Sequence, residues 1–177
     1  MGGDSANLAL AVLRVVLGVV FVAHGVNHIV GGGKIAGTAR WFERLGMRPG
    51  LLHAWTASLT ELGAGVLLLV GLVTPVAAAG VVGVMLVAWV TNHARNGFFI
   101  FRPGEGYEYV MTLTVVGLVV ATLGPGRWSL DHVAGIEAAL AGWHGLAIGG
   151  GAGALGAAAL LAGFWRPGRS GSEGPSA

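Results

Sequence analysis

The chain of 177 residues is 54% hydrophobic and only 10% charged, with a mean hydropathy of +0.75, which excludes an ordinary soluble domain and makes lipid its main solvent. Ten Lys and Arg against eight Asp and Glu leave a net charge of +2; the pI of about 9.7 reflects Arg in a charge-poor chain and not a nucleic-acid-binding patch. With no cysteine the chain can hold neither disulfide nor iron–sulfur cluster, so any redox role needs a borrowed cofactor or partner.

The opening MGGDSAN lacks the basic run of a signal peptide and no small-residue cleavage site follows, so the first apolar run is read as a retained helix. That run, residues 8–30, is interrupted by Arg14, His24, Asn27 and His28 and is long enough to cross about 30 Å of hydrocarbon. Gly31, Gly32 and Gly33 end it. Over 34–50, Ile35, Trp41, Phe42 and Leu45 recur at helical spacing beside Arg40, Glu43, Arg44 and Arg48, which predicts an amphipathic helix lying at the interface. A second span follows over 51–73. Thr74-Pro75 then makes a turn tight enough to fold a third span, 75–92, back as a hairpin. The loop HARNGFFIFRPGEGYE places Phe98, Phe99 and Phe101 at the headgroup boundary. A fourth span over 107–123 stops at Gly124-Pro125-Gly126. After a polar linker, 140–165 gives a fifth stretch rich in Gly and Ala, and the remaining RPGRSGSEGPSA has the composition of a disordered tail.

Five spans put the two ends on opposite sides of the membrane. Lys34, Arg40, Arg44, Arg48, Arg95, Arg102, Arg166 and Arg169 share one side, and Arg127 stands on the other. The positive-inside rule therefore predicts a cell-membrane (inner-membrane) protein with its N-terminus extracytoplasmic and its C-terminus cytoplasmic. Trp41, Trp55, Trp89, Tyr107, Tyr109 and Trp165 fall near the cytoplasmic boundary, and Trp128 and Trp143 near the outer one.

The succession LRVVLGVVFVAHGVNHIVGG, a short amphipathic piece, ASLTELGAGVLLLVGLVTP, NGFFIFRPGEGYEY and LGPGRWSLD resembles the DoxX family of small four-helix membrane proteins, over residues 8–131. The resemblance rests on Arg14 and His24-Gly25, on Glu61, on Asn96-Gly97-Phe98-Phe99, and on Gly124-Pro125-Gly126-Arg127 with Ser129 and Asp131. The Lys that the family carries a few residues after its His-Gly pair looks replaced by His28, unless Lys34 does that job. What the resemblance implies is an all-α, polytopic membrane bundle with a DoxX-like four-helix domain over 8–135; it does not reach the segment from Leu140 onward, where hydropathy and composition alone give an added transmembrane helix over 140–165 and a disordered cytoplasmic tail over 166–177. The similar DoxD proteins are membrane subunits of a thiosulfate:quinone oxidoreductase, and some actinobacterial DoxX proteins are associated with oxidative and thiol stress.

Ionisable groups inside a bilayer each cost about 2.5–3.5 kcal/mol on insertion scales, so Arg14, His24 and Glu61 need reasons. At about 100° per residue Arg14, His24 and His28 share one stripe roughly 80° wide, which predicts that it faces the bundle. Counting about 1.5 Å per residue from the cytoplasmic end puts Glu61 about 15 Å deep, His24 about 9 Å and Arg14 about 24 Å. That spacing lets Arg14 reach towards Glu61, either as a buried pair that fixes packing or beside a carboxylate that carries protons or binds a ligand. Nearer the cytoplasm His24, His28, His53, Asn92, His93, Asn96 and Glu108 converge, as a quinone headgroup requires beside an apolar cavity for its tail. For His53 and His93 the simpler reading is solvation at the interface.

His24 and His28 also have one-helix metal spacing, but without cysteine or a second acidic pair no metal site is expected. Haem is disfavoured because His24 and His53 differ in depth. Gly145, Gly149, Gly153 and Ala157 form a smooth ridge that predicts close packing on the bundle or on a second copy. The function expected is a DoxX-like membrane subunit of a redox or stress-response assembly that meets quinone, with protein partners in that assembly. The alternative is a non-enzymatic anchor or assembly factor that recruits partners. A small-solute transporter is disfavoured, since neither an inverted repeat nor paired broken helices are visible.

Overall fold

The computed structural model describes residues 3–167. Of the predicted tail, 166–177, all but Arg166 and Pro167 lies outside the described residues. The elements are α1 (Asp4–Val30), α2 (Lys34–Arg44), α3 (Gly50–Val70), α4 (Thr74–Ala88) continuing as a π-helical turn (Trp89–His93), and α5 (Glu108–Leu123). Then come α6 (Leu130–Val133), a 3-10 turn (Glu137–Leu140), α7 (Gly142–Leu146), a second π-helical segment (Ala147–Ala152) and α8 (Gly153–Phe164). The last three form one C-terminal helix of 23 residues. No strand occurs among the described residues.

Four helices are long and apolar enough to cross a membrane: Asp4–Val30, Gly50–Val70, Thr74–His93 and Gly142–Phe164. The remaining apolar helix, α5, has 16 residues, about 24 Å, and runs beside α4 in the centre of the bundle. The protein is thus an all-α polytopic membrane bundle. Its outer faces are apolar and exposed, as at Val12, Val16, Val19, Leu59, Val66, Val76 and Val115, because lipid and not water is the solvent there.

Glycines set the helix spacing. A Cβ on Gly18 of α1 would stand 2.8 Å from the Gly65 carbonyl oxygen of α3, and one on Gly65 2.8 Å from that of Gly18. Only bare backbones approach this closely, and in lipid such packing is what drives association. The hairpin between α3 and α4 turns on Gly71, left-handed at φ 66, whose N–H caps α3. Between the helices Leu17, Phe21, Ala64, Leu68, Ala77, Val81, Met85, Val110 and Val120 form the core.

The ridge of the C-terminal helix is buried against its own chain: Gly145 and Gly149 lie on Ala121 of α5, and Gly153 on Ala79 and Val82 of α4. This corrects the expected route to a homo-oligomer, because Gly145, Gly149 and Gly153 are already covered. The linker after α5 also differs from expectation. It is not a solvated strand of chain but a folded plug whose Asp131 is completely buried.

Candidate functional site

Charged residues collect at two levels of the bundle. At the end holding residues 124–131, Arg14 is 1% exposed; its Nη1 donates to the Leu68 carbonyl at 2.9 Å and its Nη2 to the Trp128 carbonyl at 2.5 Å. Nearby, Asp131 accepts from Val73 N at 2.7 Å, Thr74 N at 3.0 Å and Thr74 Oγ1 at 2.9 Å. A carboxylate thus caps the first turn of α4 from 57 residues away in sequence, where free N–H groups and the helix dipole favour negative charge. The guanidinium in turn sits at the C-terminus of α3, where carbonyls favour a cation. Ser129 joins the plug by accepting from His132 N at 3.1 Å and donating to the Gly126 carbonyl at 2.6 Å.

This geometry corrects the expected Arg14–Glu61 pair. The contact of Gly18 with Gly65 puts Arg14 level with Leu68, seven residues beyond Glu61 on α3, or about 10 Å along the axis. Depth counting failed because α1 and α3 do not start flush. The charge that compensates Arg14 is Asp131, and Glu61 turns instead to His28.

Glu61 is 4% exposed, and its Oε2 lies 3.4 Å from His28 Nδ1. The two atoms are not aligned as a hydrogen bond, and both are buried without any hydrogen-bond partner, as is His53 Nε2. One turn before His28, the exposed His24 meets the Tyr109 hydroxyl at 3.4 Å through Nε2, with the rings stacked at 6.2 Å. Of the expected stripe, Arg14 is buried in the bundle at the other level and His28 is half-buried beside Glu61, while His24 lines the cavity at its exposed rim.

These groups border a cavity of about 440 Å³, within the usual range of small-molecule sites of about 300–1,000 Å³. Phe21, His24 and His28 of α1, His53, Thr60 and Glu61 of α3, and Met85 of α4 line it. So do Thr91, Asn92 and His93 of the first π turn, Tyr109 and Leu113 of α5, and Gly153 and Gly156 of α8. The π turn is what brings Asn92 and His93 in: its extra residue shifts their register, a distortion frequent at functional sites.

His93 is buried, not solvated: Asn92 Nδ2 donates to its Nε2 at 3.2 Å, leaving Nδ1–H to donate to the Glu105 carbonyl at 2.8 Å. His53 is buried too, between the rings of Phe42 and Phe164. Both correct the interfacial reading: Phe42 of α2 and Phe164 of α8 cover His53, and the 94–107 loop holds His93 through Glu105. Two expected members stand apart. Asn96 donates to the carbonyls of Asn92, Gly104 and Glu105, and Glu108 Oε1 accepts from Ile100 N, so both hold the 94–107 loop and neither lines the cavity. Sequence reading missed Thr60, Tyr109 and the C-terminal helix as cavity walls. The i, i+4 spacing of Thr56 and Thr60 on the helix of Glu61 was the available signal. No group of three His, Asp or Glu side chains placed to hold a metal occurs among the described residues.

Fold and site together define a polytopic helical membrane protein that carries a buried carboxylate–imidazole pair at an apolar cavity. The DoxX family model matches residues 9–94, from α1 through the first π turn. The chain is also similar to the uncharacterized membrane protein Rv3486 of Mycobacterium tuberculosis (strain ATCC 25618 / H37Rv), 30% identical over 130 residues, covering 68% of this chain and 77% of the relative. The chain belongs to the DoxX family. No solved structure matches it.

Proposed function

We propose that this protein is a quinone-binding membrane subunit of a redox or oxidative- and thiol-stress assembly, with Glu61 and His28 at the pole that receives the quinone headgroup. The observation that carries the reading is the set of buried, unpartnered polar atoms, Glu61 Oε2, His28 Nδ1 and His53 Nε2, beside a largely apolar cavity. A buried polar atom without a partner costs about 1–3 kcal/mol, and a bound headgroup relieves that cost. A quinone suits the donor set, because its carbonyl oxygens accept from a protonated carboxyl or an imidazole N–H, and its tail needs an apolar sleeve. The chain has no cysteine, so the electron donor belongs to a partner protein.

The same reading places the protein in the cell (inner) membrane with its Arg-rich end cytoplasmic. What supports this is the charge asymmetry across the spans and the meeting of α2, the 94–107 loop and Arg166 at one end of the bundle, where Arg166 N donates to the Gly46 carbonyl at 2.8 Å. The test is binding of menadione, a tail-free naphthoquinone, to purified protein in lipid nanodiscs. Saturable binding that Glu61→Gln weakens by about tenfold, near 1.4 kcal/mol, supports the reading. Equal binding by wild type and Glu61→Gln contradicts it.

A further inference from the structure

The C-terminal helix lies wholly beyond the matched residues 9–94, yet it forms one wall of the cavity. Along that wall Ala152 and Gly156 line the cavity and are also exposed at the molecular surface, and so are Thr56 and Thr60 on α3 opposite. Residues with both properties mark a mouth. Gly80 and Gly83 of α4 floor the trough between the two helices. A Cβ placed on Gly156 would meet no atom within 4 Å, so this part of the wall is open space.

The Arg-rich end is closed beside α8. At the Arg-rich end Phe164 packs edge-on against His53 at 5.1 Å, Trp165 Nε1 donates to the Leu45 carbonyl at 3.0 Å, and Trp165 pairs with Met47. On the far side His24, stacked on Tyr109 between α1 and α5, and Glu105 of the 94–107 loop also line the cavity and are exposed, so the cavity has a second, polar rim there. The opening between α3 and the C-terminal helix carries four of the six exposed lining residues, Thr56, Thr60, Ala152 and Gly156, and faces sideways at the depth of the transmembrane spans.

We propose that this opening is a lateral slot through which a membrane-dissolved amphiphile enters, its headgroup reaching Glu61 while its prenyl tail lies between α3 and the Gly156 face of α8. A water-soluble metabolite has no route through hydrocarbon to such a mouth, whereas a prenylated quinone partitions there spontaneously, its apolar tail gaining about 0.8 kcal/mol per buried methylene. The glycines of the wall keep the slot wide: each larger side chain at Gly156 takes volume from the tail. The proposal rests on the quinone reading for its headgroup, and the added helix supplies selectivity for the tail.

The experiment compares Gly156→Trp with wild type in nanodiscs, using a prenylated menaquinone and menadione as paired probes. Gly63→Trp is the control, since Gly63 also faces open space but does not line the cavity. The slot predicts that Gly156→Trp weakens menaquinone binding by about tenfold or more, leaves menadione binding within about twofold, and melts as wild type does. Gly63→Trp changes neither. Equal menaquinone binding by Gly156→Trp and wild type overturns the slot while leaving the headgroup site standing. If wild type binds neither probe, the quinone reading falls, and mass spectrometry of co-purified lipids decides the slot. A lipid retained by wild type and lost from Gly156→Trp upholds it with an acyl chain as occupant; no retained lipid overturns it.

Discussion

Arg14 and Glu61 lie on neighbouring helices and solve the cost of burial differently. Arg14 is held by fixed structure: the carbonyls of Leu68 and Trp128 accept from Nη1 and Nη2, Nε alone is left without a partner, and Asp131 lies close enough to compensate its charge. Glu61 has only the misaligned His28 and the cavity. The first arrangement is stabilising and the second is kept at a cost, which is the usual mark of a residue retained for what it binds. Asp131→Ala removes three hydrogen bonds from the start of α4 and should destabilise the protein by roughly 3 kcal/mol or more, read as a lower melting temperature in detergent. Glu61→Gln should leave melting unchanged or slightly raised. Because Arg14 and Glu61 do not touch, Arg14→Leu and Glu61→Leu should act additively, within about 0.5 kcal/mol, in a double-mutant cycle. A coupling above about 1 kcal/mol would restore the pair that the geometry denies.

At the scale of elements, hydropathy made the apolar helices legible because each long lipid-facing run must satisfy its backbone internally. Thr74-Pro75 correctly announced the hairpin, and the four-residue glycine spacing announced the packing face of the C-terminal helix. Three features were not legible. The π turn at Trp89–His93 has no composition of its own, so although Asn92 and His93 were expected in the polar cluster, the distortion that carries them there could not be read. The capping of α4 by Asp131 spans 57 residues, beyond the reach of any local capping signal. The register of α1 on α3 depends on Gly18 meeting Gly65, a tertiary choice that depth counting cannot supply. The glycine ridge carries its own prediction. A Cβ at Gly149 falls 2.4 Å from that of Ala121, so Gly149→Leu should force α8 off the bundle. We expect a loss of about 1–3 kcal/mol, with faster proteolysis after Phe164, and an unchanged oligomeric state on a sizing column.

For the whole molecule, orientation and site follow from one asymmetry. Lys34, the arginines of α2 and the 94–107 loop, and Arg166 share an end, and the cavity's polar pole lies toward it. Because the native chain has no cysteine, single cysteines at Thr38 and at the exposed Ala134 report sidedness in intact cells. An impermeant maleimide should label Ala134→Cys and spare Thr38→Cys; the reverse pattern would invert the topology. The site draws on α1, α3, α4 with its π turn, α5 and α8, and Glu105 of the 94–107 loop joins its lining.

The central claim is that the pole formed by Glu61 and His28 receives a quinone. The most direct test is photo-crosslinking with an azido-quinone in native membranes, followed by peptide mapping. The account predicts adducts on cavity residues of α1, α3 and the first π turn, competed by unlabelled menaquinone and lost in Glu61→Gln. Adducts confined to the lipid-facing surface, or adducts at the cavity that persist unchanged in Glu61→Gln, would contradict it.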